Sequence, residues 1–271
     1  MGPPVVPDSP EQQVRAAIRL DRALVDRGLA RSRGQARELI TAGLVTINEV
    51  AARRASATVT PADEVAVAAP DHYVSRGAHK LIGALDDLGL RVRGRALDAG
   101  SSTGGFTQVL LERGCTVVYA VDVGTDQLAP LLRTDARVVV RERTNLRELS
   151  LDRLDGEPVD VVVADLSFIP LGLVLDRLVA VAAPTAVLIL LVKPQFEVGR
   201  NRLGKNGVVR DPALRRQAVV DVVRTAADLG WGVRGCVRSR HPGGGGNVEF
   251  FVLLVRGPAA TGDPLDRVDF G

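Results

Sequence analysis

Residues 95–107 read RALDAGSSTGGFT and predict a strand, a tight loop and a helix in immediate succession. The first apolar residues of this stretch end a short run that is typical of a buried strand. Gly100, Gly104 and Gly105 allow a tight turn and a close approach of the backbone to a ligand. The pattern becomes helical from Phe106, so free amides of the loop and of the helix start are predicted to face an anionic group.

The loop differs from the two common phosphate-binding loops. Three residues separate Gly100 from the paired glycines, which is not the G-x-G-x-x-G spacing, and no Gly-Lys-Ser/Thr follows. Asp98, at the end of the strand, is expected to accept hydrogen bonds from a cationic group. A carboxylate beside a glycine loop fits a cofactor that carries an amino acid, so S-adenosylmethionine is the candidate. An ordinary strand-to-helix connection is the alternative.

Beyond this loop the sequence alternates strand and helix patterns, which indicates an α/β fold with a doubly wound, mostly parallel sheet of Rossmann-like type. Strands are expected near 95–98, 116–121, 137–140, 159–164, 185–192, 231–238 and 248–255, and helices near 105–113, 171–183 and 212–229. Ligands of such sheets bind beyond the carboxyl ends of the strands. Polar residues at those ends are therefore the candidates for function.

The second strand ends at Asp122, whose carboxylate is placed to accept both hydroxyls of a ribose. Asn145, after the third strand, is expected either to face an adenine edge or to cap the following helix. The predicted cofactor-binding residues are Asp98, Gly100, Ser102, Gly104, Gly105, Phe106, Asp122, Asn145 and Asp165.

Two of only three lysines in the chain stand at element boundaries that face the same edge of the sheet. Lys80 precedes the first strand, and Lys193 follows the fifth. Asp165 follows the fourth strand, and Glu249 begins the seventh. Because they share one edge of the sheet, these four residues are predicted to be catalytic. Lys193 is the predicted base, since lysine can release its proton whereas arginine cannot do so readily. Structural ion pairing is the alternative for each of them.

The N-terminal segment predicts a second, smaller α+β domain. Helices are expected over Val14–Arg27 and after a Ser32 cap, and strands over 44–47 and 65–68. Residues 11–60 contain nine basic and five acidic residues, and arginines around a helix start can grip phosphates together with free amides. The predicted RNA-binding residues are Arg22, Arg31, Ser32, Arg33, Gln35, Arg37 and Arg76. This segment resembles the RNA-binding domain named after a small-subunit ribosomal protein. A solvated basic helix face is the alternative.

The domain boundaries and the cellular setting follow from composition. We expect a disordered tail at 1–13, an RNA-binding domain at 14–70, a linker at 71–77, a catalytic domain at 78–257 and a C-terminal tail at 258–271. The longest clean apolar run is too short to span a bilayer, and the first residues lack the pattern of a signal peptide. Two cysteines and no clustered histidines predict free thiols in a reducing cytoplasm and no metal site.

The four candidate catalytic residues resemble the Lys-Asp-Lys-Glu tetrad of FtsJ-type RNA ribose 2′-O-methyltransferases. More closely, the chain resembles the TlyA family of haemolysin-like rRNA methyltransferases. The matching segments are SRGAHKL (75–81), LDAGSSTGGFT (97–107), ADLSFI (164–169), LVKPQFEVG (191–199) and NVEFF (247–251). The resemblance implies S-adenosylmethionine as donor and cytidine ribose in rRNA of both ribosomal subunits as acceptor. The linker departs from the family, because Tyr73 stands where the family has a tryptophan.

Two other classes of function compete with this interpretation. A non-catalytic ribosome-binding factor would keep the scaffold, but the intact tetrad argues against it. A membrane-active haemolysin is disfavoured because the sequence shows no spanning segment. The sequence does not indicate an oligomeric state or the nucleotides that are modified.

Overall fold

A computed structural model describes residues 17–68, 72–260 and 262–271. The chain divides into two compact units between His72 and Tyr73. The tail expected at 1–13 lies outside the described residues. Each unit has a hydrophobic core of its own.

The N-terminal unit combines two helices with two small antiparallel sheets. Its elements are β1 (Ile18–Arg19), α1 (Leu20–Asp26), α2 (Arg33–Thr41), β2 (Val45–Ile47), β3 (Val50–Ala51), β4 (Thr58–Val59) and β5 (Val65–Val67). The first sheet pairs β1 with β4, and the second has the order β3-β2-β5. Asn48 and Glu49 both have positive φ, which is the two-residue hairpin turn that joins β2 to β3.

The helix expected over Val14–Arg27 is only partly correct. Ile18 and Arg19 are extended and pair with Val59 and Thr58, so the helix begins at Leu20. Pairing with a distant strand overrides the local helical spacing here. The second helix begins as predicted, because the Ser32 hydroxyl accepts a hydrogen bond from the backbone amide of Gln35.

The C-terminal unit is a three-layer α/β/α domain. Its strands are β6 (Gly94–Ala99), β7 (Cys115–Val121), β8 (Val138–Arg141), β9 (Val159–Ala164), β10 (Ala182–Val192), β11 (Trp231–Arg238) and β12 (Phe250–Arg256). Its helices are α3 (Gly77–Asp87), α4 (Gly105–Glu112), α5 (Pro130–Arg133), α6 (Leu175–Ala180), α7 (Pro194–Glu197) and α8 (Pro212–Asp228). The predicted strands are all found, within three residues at each end.

The sheet has the order β11-β12-β10-β9-β6-β7-β8, and β12 runs antiparallel to the other six strands. After β6 the chain winds outward through β7 and β8, then returns to place β9 on the other side of β6. This reversal is the topological switch at which open α/β sheets bind ligands. The fold class predicted from the sequence is therefore confirmed.

Two predictions for this unit are wrong. The helix expected over 171–183 is a 3₁₀ turn at Leu171–Leu173 and a short helix, α6, and β10 already begins at Ala182. The segment expected to be a C-terminal tail packs on the domain, since Leu265 and Phe270 are buried in its core. Arg215 also donates a hydrogen bond to the carbonyl of Phe270 at 2.9 Å. Apolar residues widely spaced in a polar segment gave no local signal of this packing.

Candidate active site

The glycine loop after β6 has a backbone that side chains would disturb. Gly100 has φ +85°, and a Cβ there would lie 2.7 Å from the carbonyl oxygen of Asp165. A Cβ on Gly105 would lie 2.2 Å from the Ser75 hydroxyl oxygen. Close packing of three segments thus requires glycine at these positions.

Gly104 differs from the role that the sequence suggested. It has φ +98°, but a Cβ there would meet Leu132 Cδ1 at 2.3 Å and Leu128 Cδ1 at 2.8 Å. Those leucines belong to the hydrophobic core. Gly104 is therefore needed for packing inside the domain, and it does not line a cavity beside the loop.

Two adjoining cavities open beside the loop. The larger has a volume of about 560 Å³ and the smaller about 360 Å³. They share Gly100, Ser102, Asp165 and Ser167. Of the other predicted cofactor-binding residues, Asp122 and Asn145 line the larger cavity, and Gly105 and Phe106 line the smaller one.

Two carboxylates fix the backbone of loops that line the larger cavity. Asp122 accepts hydrogen bonds from the backbone amides of Ser102 and Gly124, at 2.9 and 2.7 Å. Glu142 accepts hydrogen bonds from the backbone amides of residues 126–128. A further hydrogen bond, which Arg133 donates, lowers the pKa of Glu142 to about 2. Sequence reasoning missed this anchor, because a glutamate after a strand carries no signal of which amides it will collect.

The sequence left open whether Asn145 faces a ligand or caps the following helical turn, and its side chain is placed for both. Its side chain lines the larger cavity, and its Oδ1 accepts the backbone amide of Arg147 at 3.1 Å to cap a 3₁₀ turn. The cap occupies the side-chain oxygen. The side-chain amide remains a donor that can face a ligand in the cavity.

The first lysine–carboxylate pair lies where the two cavities meet. Lys193 Nζ is 2.6 Å from Asp165 Oδ1 and donates a hydrogen bond to Ser167 Oγ at 3.0 Å. Lys193 is buried, yet it lines the smaller cavity. It follows β10 directly, so its backbone position is fixed by the sheet while its amine reaches the cavity. Ser167 was not predicted, because a serine in a loop is too common to single out.

The second pair is enclosed more completely. Lys80 Nζ donates to Glu249 Oε2 at 2.7 Å, and Gln195 Nε2 donates to Glu249 Oε1 at 3.0 Å. Glu249 is only 1% exposed. A Cβ on Gly243 would lie 1.9 Å from Glu249 Oε1, so the glycine-rich loop closes over this carboxylate. The structure therefore brings all four predicted catalytic residues together as two pairs.

Asp98 does not reach either cavity lining. It is fully buried, and Thr107 Oγ1 donates to its Oδ2 at 2.7 Å. Its Oδ1 has no hydrogen-bond partner among the described residues. Burial, with a smaller contribution from the nearby Asp165 carboxylate, raises the pKa of Asp98 to about 7. The sequence predicted the position on β6 correctly but placed the carboxyl too near the surface.

Several of the predicted RNA-binding residues make contacts within the N-terminal unit. Ser32 caps α2, and Gln35 Oε1 accepts the backbone amide of Arg31 at 2.9 Å. Arg33 and Arg37 face the buried carboxylate of Asp21, at 2.8 and 3.5 Å. The remaining two predicted residues lie apart from this group: Arg22 pairs with Asp26 in α1, and Arg76 lines the smaller cavity of the C-terminal unit.

Two kinds of feature are absent from the described residues. No group of three or more His, Cys, Asp and Glu side chains among them is placed to hold a metal ion. No helix in the described ranges is both long and apolar enough to cross a membrane.

Comparisons with known proteins agree with this geometry. The FtsJ-like methyltransferase family matches residues 73–256, and the S4 domain matches residues 18–65. The chain is 52% identical over 239 residues to the 16S/23S rRNA (cytidine-2′-O)-methyltransferase TlyA of Mycobacterium tuberculosis, which covers 87% of this chain and 89% of the relative. It is 34% identical to Hemolysin A of Brachyspira hyodysenteriae, with 88% and 100% covered.

A solved structure from Streptococcus thermophilus, described as a hemolysin, is 36% identical, covers 92% of each chain and has a TM-score of 0.71. Fold and site thus define a methyltransferase of the FtsJ-like class. Within that class, the chain belongs to the TlyA family.

Proposed function

We propose that this protein transfers a methyl group from S-adenosylmethionine to the ribose 2′-hydroxyl of cytidine in the ribosomal RNA of both subunits, in the cytoplasm. The observation that carries the proposal is the position of the Lys193–Asp165 pair at the junction of two cavities. One cavity then holds the donor, and the other admits the acceptor nucleotide. The name of the M. tuberculosis relative supports the same reaction and substrate.

The larger cavity fits the donor in size and chemistry. Its volume of about 560 Å³ lies within the ~300–1,000 Å³ of ordinary small-molecule sites. The carboxylate of Asp122 accepts two backbone amides, and its oxygens retain further acceptor capacity for ribose hydroxyls. Asn145 offers a side-chain amide, and Val123 and Leu146 offer apolar surface for an adenine ring.

Asp98 remains in the proposal as a ligand for the ammonium group. A buried acceptor without a partner is unfavourable until a donor reaches it. A cation close to Asp98 would favour the carboxylate over the neutral acid, against the burial that raises its pKa.

Bound S-adenosylmethionine supplies an electrophilic methyl group. The 2′-hydroxyl is a poor nucleophile until its proton leaves, so a base within hydrogen-bond reach is required. We assign this role to Lys193 Nζ, which Asp165 and Ser167 hold in the smaller cavity. Lys80 and Glu249 form the opposite wall, where the Lys80 ammonium is held by the buried carboxylate.

RNA is proposed to contact both units. The S4 domain supplies the arginines of the N-terminal unit, where phosphate contacts position the substrate. Arg76 lines the smaller cavity and is proposed to bind a phosphate beside the target nucleotide. Neither contact supplies chemistry.

The experiment that tests this function uses purified small and large ribosomal subunits, incubated separately with the protein and with methyl-labelled S-adenosylmethionine. Ribose methylation makes the adjacent phosphodiester resistant to alkaline hydrolysis, so the label should be recovered at resistant cytidines. Label on a base, or no label in either subunit, would refute the assignment. Label in only one subunit would retain the reaction and correct the substrate.

A further inference from the structure

Asp21 is a buried carboxylate that joins three arginines from two segments, β1 and α2. Its side chain is fully shielded from solvent in the first turn of α1. Arg19, from β1, donates to both carboxylate oxygens, at 3.0 and 3.3 Å. Arg33 donates at 2.8 Å, and Arg37 Nε is 3.5 Å away. We call these three arginines the arginine cluster.

The arginine cluster remains open to solvent although its carboxylate is not. The side chains of Arg19, Arg33 and Arg37 are 49%, 54% and 58% exposed. Each guanidinium carries five N–H donors, and the hydrogen bonds to Asp21 use two from Arg19 and one from Arg33. Most donors of the cluster are thus available to a ligand, on groups whose directions are already fixed.

The charges favour an anionic partner. Three guanidinium groups that meet at one carboxylate leave a net charge of +2 on a small area. Hydrogen bonds from Arg19 and then Arg33 hold the pKa of Asp21 well below its usual range, so this residue stays ionised at neutral pH. Without that charge, mutual repulsion would separate the arginines and their flexible stems would spread.

We infer that Asp21 is a positioning residue that orients the arginine cluster as one surface for RNA phosphates. This inference rests on the proposed function of the N-terminal unit as an RNA-binding domain, and it adds Arg19 to the residues expected there. It has an unusual consequence, since removing a negative charge from the protein should weaken its binding to a polyanion. A purely structural role for Asp21 does not require that result.

The test compares two substitutions in the same helix. Asp21→Asn and Asp26→Asn each raise the net charge of the chain by one. Asp26 is half-exposed, and its ion pair among the described residues is with Arg22. Binding of the full-length proteins to purified ribosomal subunits, without methyl donor, is measured over a range of salt concentrations.

We expect Asp21→Asn to weaken binding roughly five- to tenfold, as the removal of one or two oriented charge-assisted hydrogen bonds would do. The slope of log affinity against log salt should become shallower by ~0.7 for each RNA phosphate that is no longer bound. Asp26→Asn should bind as tightly as the wild type or more tightly. Equal or tighter binding by Asp21→Asn would overturn the inference, because charge alone would then decide affinity.

A third substitution separates orientation from stability. Ile40→Val removes one methyl group from the buried core of the same unit and should lower its thermal stability without altering a charge. We expect its affinity and salt slope to match the wild type. If Ile40→Val weakens binding as much as Asp21→Asn at a comparable loss of thermal stability, the inference fails.

Arg33→Ala and Arg37→Ala distinguish this failure from that of the proposed function. If the alanine variants bind weakly while Asp21→Asn binds normally, the surface binds RNA but Asp21 does not organise it. If the alanine variants also bind normally with unchanged salt slopes, the N-terminal unit does not bind RNA through these arginines and both proposals fail.

Discussion

The two lysine–carboxylate pairs of the site share a composition but differ in their surroundings. Both oxygens of Glu249 accept hydrogen bonds, from Lys80 and Gln195, and the carboxylate is almost completely enclosed. Asp165 instead lies at the junction of the two cavities, and its partner Lys193 also contacts the Ser167 hydroxyl. Both lysines line the smaller cavity. We call the first pair closed because its carboxylate lines neither cavity, whereas the carboxylate of the second pair lines both.

This difference suggests a division of labour. A lysine held by an enclosed carboxylate has a fixed position in the wall of the smaller cavity. Lys193 lines the smaller cavity beside a carboxylate that lines both cavities, so it lies close to where the reacting partners would meet, as a proton acceptor must. The carboxylates also differ in origin, because Asp165 follows the central strand β9 while Glu249 precedes the antiparallel strand β12.

The largest effect is expected for Lys193→Arg. Arginine keeps the positive charge but does not release its proton at neutral pH, so a base at this position is lost. We expect methyl transfer to fall by about 10²–10⁴-fold, the usual contribution of general base catalysis. Single-turnover assays with saturating donor and ribosomal subunits measure this rate, and calorimetry should show unchanged donor binding.

Lys80→Arg is the matched control, since it makes the same substitution in the closed pair. The arginine of this variant can keep the positive charge and a hydrogen bond to Glu249, so a smaller loss of rate is expected. Substantial turnover by Lys193→Arg would show that this residue acts only through its charge. Equal losses in the two variants would contradict the division between the pairs.

A smaller effect is expected for Gly243→Ala. The added Cβ would meet Glu249 Oε1 at 1.9 Å, and the carboxylate cannot move freely because Lys80 and Gln195 hold it. We expect the displaced pair to lower kcat about tenfold while the fold is retained. Gly244→Ala is the control, because a Cβ there has no atom within 4 Å. Indistinguishable kinetics of both variants would mean that the geometry of the closed pair is not critical.

The sequence predicted the parts of the site that depend on strand order. Parallel strands end at the same edge of a sheet, so Asp122, Asp165 and Lys193 could be placed from their positions after apolar runs. Their assembly follows from β6, β7, β9 and β10 being neighbours around the switch point. The same logic positioned Asp98, but the depth of a side chain at a strand end depends on packing that periodicity does not encode.

Contacts between distant, irregular segments could not be predicted. The pairing of Ile18 with Val59 and the burial of Phe270 depend on segments that lie far away in the sequence. Gly104 was assigned to ligand binding because glycines in a loop all look alike in sequence, yet its neighbours are core leucines. The role of a glycine becomes evident only from the atoms that its missing side chain would displace.

The carboxyl of Glu197 has no lysine partner among the residues that the structure describes. Glu197 ends α7, four residues after Lys193, and its Oε1 accepts the backbone amide of Leu171 at 2.9 Å. It thereby ties the segment after β10 to the segment after β9, and these two segments carry Lys193 and Asp165. Burial, with a smaller contribution from repulsion by Asp221, raises the pKa of Glu197 from 4.5 to about 7.

The smallest effect on catalysis, with a distinct effect on stability, is expected for Glu197→Gln. Glutamine keeps an acceptor for Leu171, so kcat should stay within about twofold. Because the folded pKa is raised, the contribution of Glu197 to stability is complete below pH 4.5 and is lost as the pH rises to about 7. The wild type must ionise this partly buried acid at pH 8, whereas the variant has nothing to ionise at this position.

The variant should therefore be more stable than the wild type at pH 8, by up to ~3 kcal/mol since each pKa unit corresponds to about 1.4 kcal/mol. The advantage should decline as the pH falls through 7 and approach zero near pH 4.5. Asp98 titrates in a similar range, but it is present in both proteins and cancels from the difference. Thermal melts of the two proteins from pH 4.5 to 8 measure the trend. A constant difference across this range would show that the Glu197 carboxyl does not change its protonation there, and a large loss of kcat would show that the anchor needs a carboxyl to hold the Lys193–Asp165 pair.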